Sequence, residues 1–390
     1  MNPLRPLLLT ALLGPAALPP GVPIRLPNGL QARLVEDHEA PLIRLQGLVP
    51  IAPEDVPTHL PGLPTLLLAV LSQGPKGSHS AAAFQMQADA SAVKVDLHAE
   101  GRGWRFSLTC RSRDQELAFG LLGDLLSRGS LDPTLLEAQR MQLFREQRDP
   151  SQAARTRWVA EASGSALMPP PEATLSKATL QDLEALKARV LRPERLRVEL
   201  QGDLSPAQAQ QLLLLNLGAW QPAPAPVLPR GPEPATVTQW AQPEAPGLLW
   251  AALPPLREGE AEAPLLELLL PEHLEGLQGH GRVGDPWRLR VAASTPQEAL
   301  RILEGRLGNV AFTEAEVVAA RATWRGRRAL EALSPAQALE SRLARAPEAE
   351  GLDRVTAADL NRRLRDLTSR EARRLLWTGD PAWLRQLTRP

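Results

Sequence analysis

Thr179-Leu-Gln-Asp182-Leu183 is followed by Gly202-Asp203, and Thr356-Ala-Ala-Asp359-Leu360 is followed by Gly379-Asp380. Both threonine-to-aspartate intervals, 179 to 203 and 356 to 380, are the same 24 positions. Each stretch reads as a helix opened by a threonine cap, then a basic segment, a short strand and a Gly-Asp turn. A second pair stands in the same order: Leu131-Asp-Pro-Thr-Leu-Leu-Glu-Ala-Gln-Arg140 lines up with Phe312-Thr-Glu-Ala-Glu-Val-Val-Ala-Ala-Arg321, each opening a long helix. Chance can supply one such match, but two in one order argue for a duplicated domain whose second copy is shorter. Between the copies, Gln221 to Pro234 is proline-rich and without apolar period, the composition of an extended, semi-rigid connector.

Working outward from the repeat, Ile24 to Val35 holds two alternating segments around Asn28-Gly29, the strongest short hairpin signal. Leu42 to Ile51 reads as a strand, Leu60 to Leu71 and Ser80 to Ala90 as helices, and Val93 to His98 and Trp104 to Cys110 as strands. Helices follow over Asp114 to Arg128, Asp132 to Ser163 with a break near Pro150, Thr179 to Val190 and Pro206 to Leu217, with a strand at Leu196 to Gln201. The order lacks a parallel βαβ rhythm, so the class is α+β: two tandem, duplicated domains, each a mainly antiparallel sheet covered by helices. The boundaries are a leader over 1–20, an N-terminal domain over 21–220, a linker over 221–235 and a shortened C-terminal domain over 236–390.

Forty-four basic residues balance forty-four acidic ones, leaving no global field to attract a phosphate backbone, so nucleic acid is not an expected partner. One cysteine, Cys110, excludes an internal disulfide and a cysteine zinc cluster. It ends a strand pattern, where a buried inert thiol is expected. The first twenty residues carry Arg5, an apolar run from Leu7 to Leu13 and small residues at Ala16 and Ala17, the order of a secretory signal. Export to the periplasm or beyond is favoured over a cytoplasmic location. No later stretch has the roughly 18 apolar residues that a spanning helix needs, so no membrane span is expected.

Leu26-Pro-Asn-Gly-Leu30, Glu36-Asp-His-Glu-Ala-Pro41-Leu, the Pro61-Gly-Leu63 helix start with Gln73-Gly74 at its end, and the duplicated halves together resemble the pitrilysin and insulinase group of metallopeptidases. The likeness is nearest to small bacterial members related to mitochondrial processing peptidase. That resemblance implies two similar α+β domains, and two such chains or repeats closing around an extended peptide. It also implies a His-x-x-Glu-His helix, in which two imidazoles hold zinc and the glutamate activates water. Here the matching positions are Thr65, Leu68 and Ala69, none of which can do that work. Glu146 falls at the later zinc-carboxylate position, with Gln139 in place of the supporting acid. One glutamate without histidines does not make a zinc site, so no catalytic residue, metal or cofactor is expected. Active relatives also use an arginine and a tyrosine of the second domain, and this chain has no tyrosine.

In the noncatalytic subunit of the mitochondrial enzyme a glycine-rich loop touches substrate. The run from Glu275 to Asp285 resembles it, which makes Gly279, His280, Gly281 and Arg282 candidate contacts for a peptide or partner; a plain surface turn with glycines at positive φ is the other reading. The expected role is therefore a noncatalytic homologue, the inactive subunit completing the peptide chamber of an active, zinc-containing peptidase of similar size, or a homodimer. The alternative is a stand-alone peptide-binding or scaffolding protein. The six histidines, His38, His59, His79, His98, His273 and His280, show no i, i+4 pair and read as scattered surface or loop residues. Arg321, Arg325, Arg327 and Arg328 with Trp324, and Arg370, Arg373 and Arg374, read as basic helix faces neutralised by Glu331, Glu340 and Glu371.

Overall fold

The computed structural model describes residues 21–100, 103–146, 158, 166–221, 237–241, 247–254, 256, 260–274, 277, 287–343, 349–370 and 372–379. The leader, linker residues 222–235, the contact candidates Gly279 to Arg282, and Asp380 of the repeat lie outside the described residues. The first half runs β1 (Val22–Arg25), β2 (Gln31–Glu36), β3 (Leu42–Pro50), α1 (Leu63–Gln73), α2 (Ala81–Ala90), β4 (Lys94–Glu100), β5 (Gly103–Arg111), α3 (Gln115–Ser127), α4 (Pro133–Glu146), α5 (Glu172–Lys177), α6 (Leu180–Val190), β6 (Arg197–Gly202) and α7 (Pro206–Leu217). The second half runs β7 (Val237–Ala241), β8 (Leu248–Leu253), α8 (Ala263–His273), β9 (Trp287–Ala292), α9 (Pro296–Gly308), α10 (Glu314–Ala332), α11 (Pro335–Leu343), α12 (Ala349–Asp353), α13 (Ala357–Thr368) and β10 (Arg374–Gly379).

The duplication is visible in the pairing of strands. The first sheet has the order β1-β2-β6-β3-β5-β4 and the second β7-β10-β8-β9. β2 runs parallel to β6, as β7 does to β10. β6 and β5 flank β3 antiparallel, as β10 and β9 flank β8. The order along the chain disguised that one parallel pair per sheet, because its strands are separated by nearly a whole half of helices. Counterparts of β1 and β4 are not found among the described residues of the second half, where 274–286 stand in place of 74–102. The matched threonines act alike. Thr179 Oγ accepts from Asp182 N while Asp182 accepts from Thr179 N at 2.8 Å, and Thr356 and Asp359 repeat the box with 3.0 Å.

Strand alternation divides each sheet into a core face and an outer face. On β3, Ile43, Leu45 and Val49 enter a core shared with Leu63, Leu66, Leu67, Trp104 and Phe106, while Arg44, Gln46 and Leu48 face outward. Helix α11 of the second half lies over β3 and β6. Reciprocally, Trp158 of the first half packs on Ala252, Leu376 and Trp250 of the second sheet. Trp158 and Leu339 of α11 are 1% and 0% exposed. Beside Leu339, Arg342 enters a polar floor, donating to Gln201 Oε1 at 2.9 Å with its Nε 3.7 Å from Glu199 Oε2. Arg33 Nε donates to the other oxygen of Glu199 at 2.8 Å. Arg342 and Glu199 are 8% and 4% exposed, and the network offsets the desolvation of Arg342 only in part, since burial still lowers its pKa.

Two local expectations are corrected. Asn28-Gly29 is not a two-residue turn: β1 and β2 pair Arg25 with Gln31, and the loop closes through Leu26 N to Leu30 O at 3.0 Å. Asn28 is drawn off to donate its amide to Leu217 O at the end of α7, 2.7 Å away, and only Gly29 takes positive φ. Helix α1 starts at Leu63 rather than Leu60, since Gly62 sits at φ 79 and cannot continue a helix.

Cys110 is buried in the first core, and desolvation pushes its thiol up to about 12. At pH 8 it is expected to resist a thiol reagent in the native chain and to react fully once unfolded; rapid native labelling would contradict the burial. Trp158→Ala is expected to cost about 3–5 kcal/mol and Leu339→Ala about 2–5 kcal/mol in urea denaturation, the usual range for emptying a core position. A cost below about 0.5 kcal/mol for both, the level of surface changes, would refute the reciprocal packing.

Candidate functional site

Helix α1 carries the three positions that the family resemblance singles out. Thr65, Leu68 and Ala69 are spaced i, i+3 and i+4, so they share one face. Segment 166–171 crosses the start of this helix. A Cβ on Gly62 would lie 2.5 Å from Pro170 Cα, so only glycine permits the approach. Thr65 Oγ donates to Met168 O at 2.8 Å, and Thr174 Oγ, from α5, donates to Pro61 O at 2.9 Å. The hydroxyl nearest to a ligand role is therefore committed to a backbone carbonyl. Leu68 is 8% exposed and Ala69 half-buried, which makes this part of α1 an apolar packing surface.

Helix α4 packs on α1 and ends at Glu146. Glu146 is exposed and accepts from Gln142 Nε2 at 3.0 Å, a bond within its own helix. Two methyl-bearing side chains and a committed hydroxyl offer zinc no imidazole or thiolate, and a lone carboxylate is one ligand of the three or four required. The residues present do not fit the metal. Among the described residues, no group of three or more His, Cys, Asp or Glu side chains is placed to hold one.

The C-terminal end of α1 is held by charge instead. Lys76 Nζ donates to Ser72 O and Gly74 O, both at 3.0 Å, and lies 5.2 Å from the centre of the Phe84 ring. A cation at a helix C-terminus meets the partial negative charge of unpaired carbonyls, and burial lowers the lysine pKa. Asp124 of α3 faces the following loop, 2.9 Å from Arg128 Nε and 3.4 Å from His79 Nδ1.

Three further histidines, which do not cluster with one another, have carboxylate partners. His98 lies between Asp96, 2.6 Å away, and Glu100, 3.3 Å away, on β4. His38 lies between Glu36 and Asp203, and His273 Nε2 is 3.0 Å from Glu316 and edge-on to Phe312. The signal was present for His98: Asp-x-His-x-Glu on a strand puts all three on one face. Asp203 is distant from His38 in sequence and gave none. The basic face of α10 is largely engaged: Arg325 pairs with Asp353, Arg328 with Glu331 at 2.9 Å, and Arg321 donates to Val355 O. Glu304 takes Arg370 and Arg373, both at 3.0 Å, while Glu371 lies outside the described residues.

No family model matches the chain, and no curated protein matches it. Solved structures do. A protease from Helicobacter pylori superposes with a TM-score of 0.74 at 12% identity, covering 93% of this chain and 100% of the other. A peptidase M16 inactive domain from Pseudomonas fluorescens gives 0.72 at 15% identity, with 92% and 98% covered. The chain has the fold of M16-like peptidases. The same fold forms half of the periplasmic protease PqqL from Escherichia coli, where 95% of this chain but 50% of that one is covered, at 15% identity and a TM-score of 0.64. Thr65, Leu68 and Ala69 of helix α1 are engaged in packing and one backbone hydrogen bond, and no described helix is long and apolar enough to cross a membrane.

Gly62→Ala is expected to destabilise the chain by more than about 1 kcal/mol, because it combines positive φ with a backbone clash. Thermal unfolding would measure it, and an unchanged midpoint would show that 166–171 does not press on the start of α1.

Proposed function

We propose that this chain is a noncatalytic homologue of the M16 peptidases and serves as the inactive half of a peptidase chamber. The observation that carries the reading is α1: the fold is that of peptidases over nearly the whole chain, while Thr65, Leu68 and Ala69 occupy the positions where zinc chemistry needs His, Glu and His. A chamber formed by two facing halves needs the metal in only one. The half-length match to PqqL supports this arithmetic, since a chain of this size is one of the two halves that PqqL joins. In this role the second, similar-sized chain supplies zinc, the general base and the scissile chemistry. This chain contributes wall, shape and contacts to an extended peptide, with Gly279, His280, Gly281 and Arg282 as candidate contacts. The leader-like order of Met1 to Pro20 supports a role outside the cytoplasm for the pair.

Native mass spectrometry with metal analysis on gently purified protein tests the role. The expected result is a one-to-one complex with a chain of similar size and one zinc per pair, and no chelator-sensitive peptide hydrolysis by this chain alone. A zinc-free monomer or homodimer would overturn the subunit role and leave a stand-alone binding protein on the same fold. Zinc-dependent hydrolysis by the isolated chain would overturn both.

A further inference from the structure

Away from α1, the most tightly interlocked exposed polar groups lie at one end of the first sheet. Glu36 closes β2, His38 stands in the turn to β3, Ser112 follows β5 and Asp203 follows β6. His38 Nδ1 is 2.6 Å from Asp203 Oδ1, and its Nε2 is 2.8 Å from Glu36 Oε1. Ser112 Oγ donates to the second oxygen of Asp203 at 2.7 Å. The backbone ties the same turns: Asp37 N donates to Gly202 O at 2.9 Å, Asp203 N to Leu42 O at 3.0 Å, and Ser112 N to Pro41 O at 3.1 Å. One imidazole is thus the meeting point of three turns.

A neutral imidazole has one N–H, so it donates to one carboxylate and presents a lone pair to the other. Only the ring with two protons satisfies both Asp203 and Glu36. We propose that His38 is a proton-operated clasp, tying the β2–β3 turn to the β6–α7 turn as the imidazolium and letting go of one carboxylate when a proton leaves for solvent. The inference stands on geometry within this chain and is independent of any peptidase role.

The surrounding charges favour the protonated form. Hydrogen bonds to Asp203 and then Glu36 raise the His38 pKa, and Asp203 is itself lowered, first by Ser112 and then by His38. Asp37 and Glu39 share the turn, Asp37 accepting from Gln201 Nε2 at 3.1 Å and from Glu39 N at 3.2 Å. Past Ser112, Arg113 is opposed by Asp114, which also holds Arg111 at 2.7 Å. A folded pKa raised above the unfolded value means that the stabilisation is complete below about pH 6.5 and disappears as pH climbs through the folded value.

The test is an imidazole-detected NMR titration of the full chain, with amide exchange protection measured at residues 38–42 over the same pH range. The wild type should show a His38 midpoint above the ordinary value of about 6.5, and Glu36→Gln should lower it. Protection of the turn should fall through that midpoint in the wild type and stay level in His38→Gln. A wild-type midpoint at or below the ordinary value, a midpoint indifferent to Glu36→Gln, or a wild-type protection profile matching that of His38→Gln would each overturn the clasp.

Discussion

Each sheet of this protein is finished by the other half. The first sheet buries the outer side of β3 and β6 beneath α11, and the second buries the outer side of β8 and β10 beneath Trp158. A sheet with one helix-covered face leaves its other face to solvent or to a neighbour, and here the neighbour is the opposite copy of the repeat. Trp158 does the covering on one side and helix α11 on the other. The two halves are therefore not independent beads. The two contacts are chemically unlike, apolar around Trp158 and partly ionic around Arg342, where two arginines share Glu199. A buried ionic contact contributes little net attraction but strongly penalises any arrangement that leaves one charge alone, so it fixes how the halves meet.

That framework also holds helix α1 in place. Helix α1 is anchored by Leu63, Leu66, Leu67, Val70 and Leu71 in the first core, by the Thr65 hydroxyl on Met168 and by Lys76 at its C-terminal carbonyls. A helix so held tolerates Leu68 and Ala69 on the face where an active enzyme would need polar ligands, because apolar side chains there remove a desolvation cost instead of adding one. In the proposed noncatalytic role, loss of zinc ligands and retention of architecture are physically compatible, and a chamber wall needs only the latter.

Charge in this neutral chain is organised locally. His38 and His98 are each bracketed by two carboxylates, Glu304 receives two arginines, and of the α10 arginines Arg325 meets Asp353 of α12 and Arg328 meets Glu331 of its own helix. Apparent basic runs along the sequence therefore do not add up to a basic face in space. The absence of a long-range field suits a protein whose proposed contacts are with an extended peptide and a second chain of similar shape.

By itself the sequence determined the duplication and the α+β class, because caps and strand alternation are local and survive as patterns. Thr179 with Asp182 and Thr356 with Asp359 form the boxes that their spacing announces. Much was not legible. The parallel pairing of β2 with β6, the five-residue loop that replaces an Asn-Gly turn, the Asp203 partner of His38 and the crossing of Trp158 and α11 between halves were decided only by the tertiary structure. Each depends on residues far apart along the chain, brought together by the burial of sheet faces that no local pattern records.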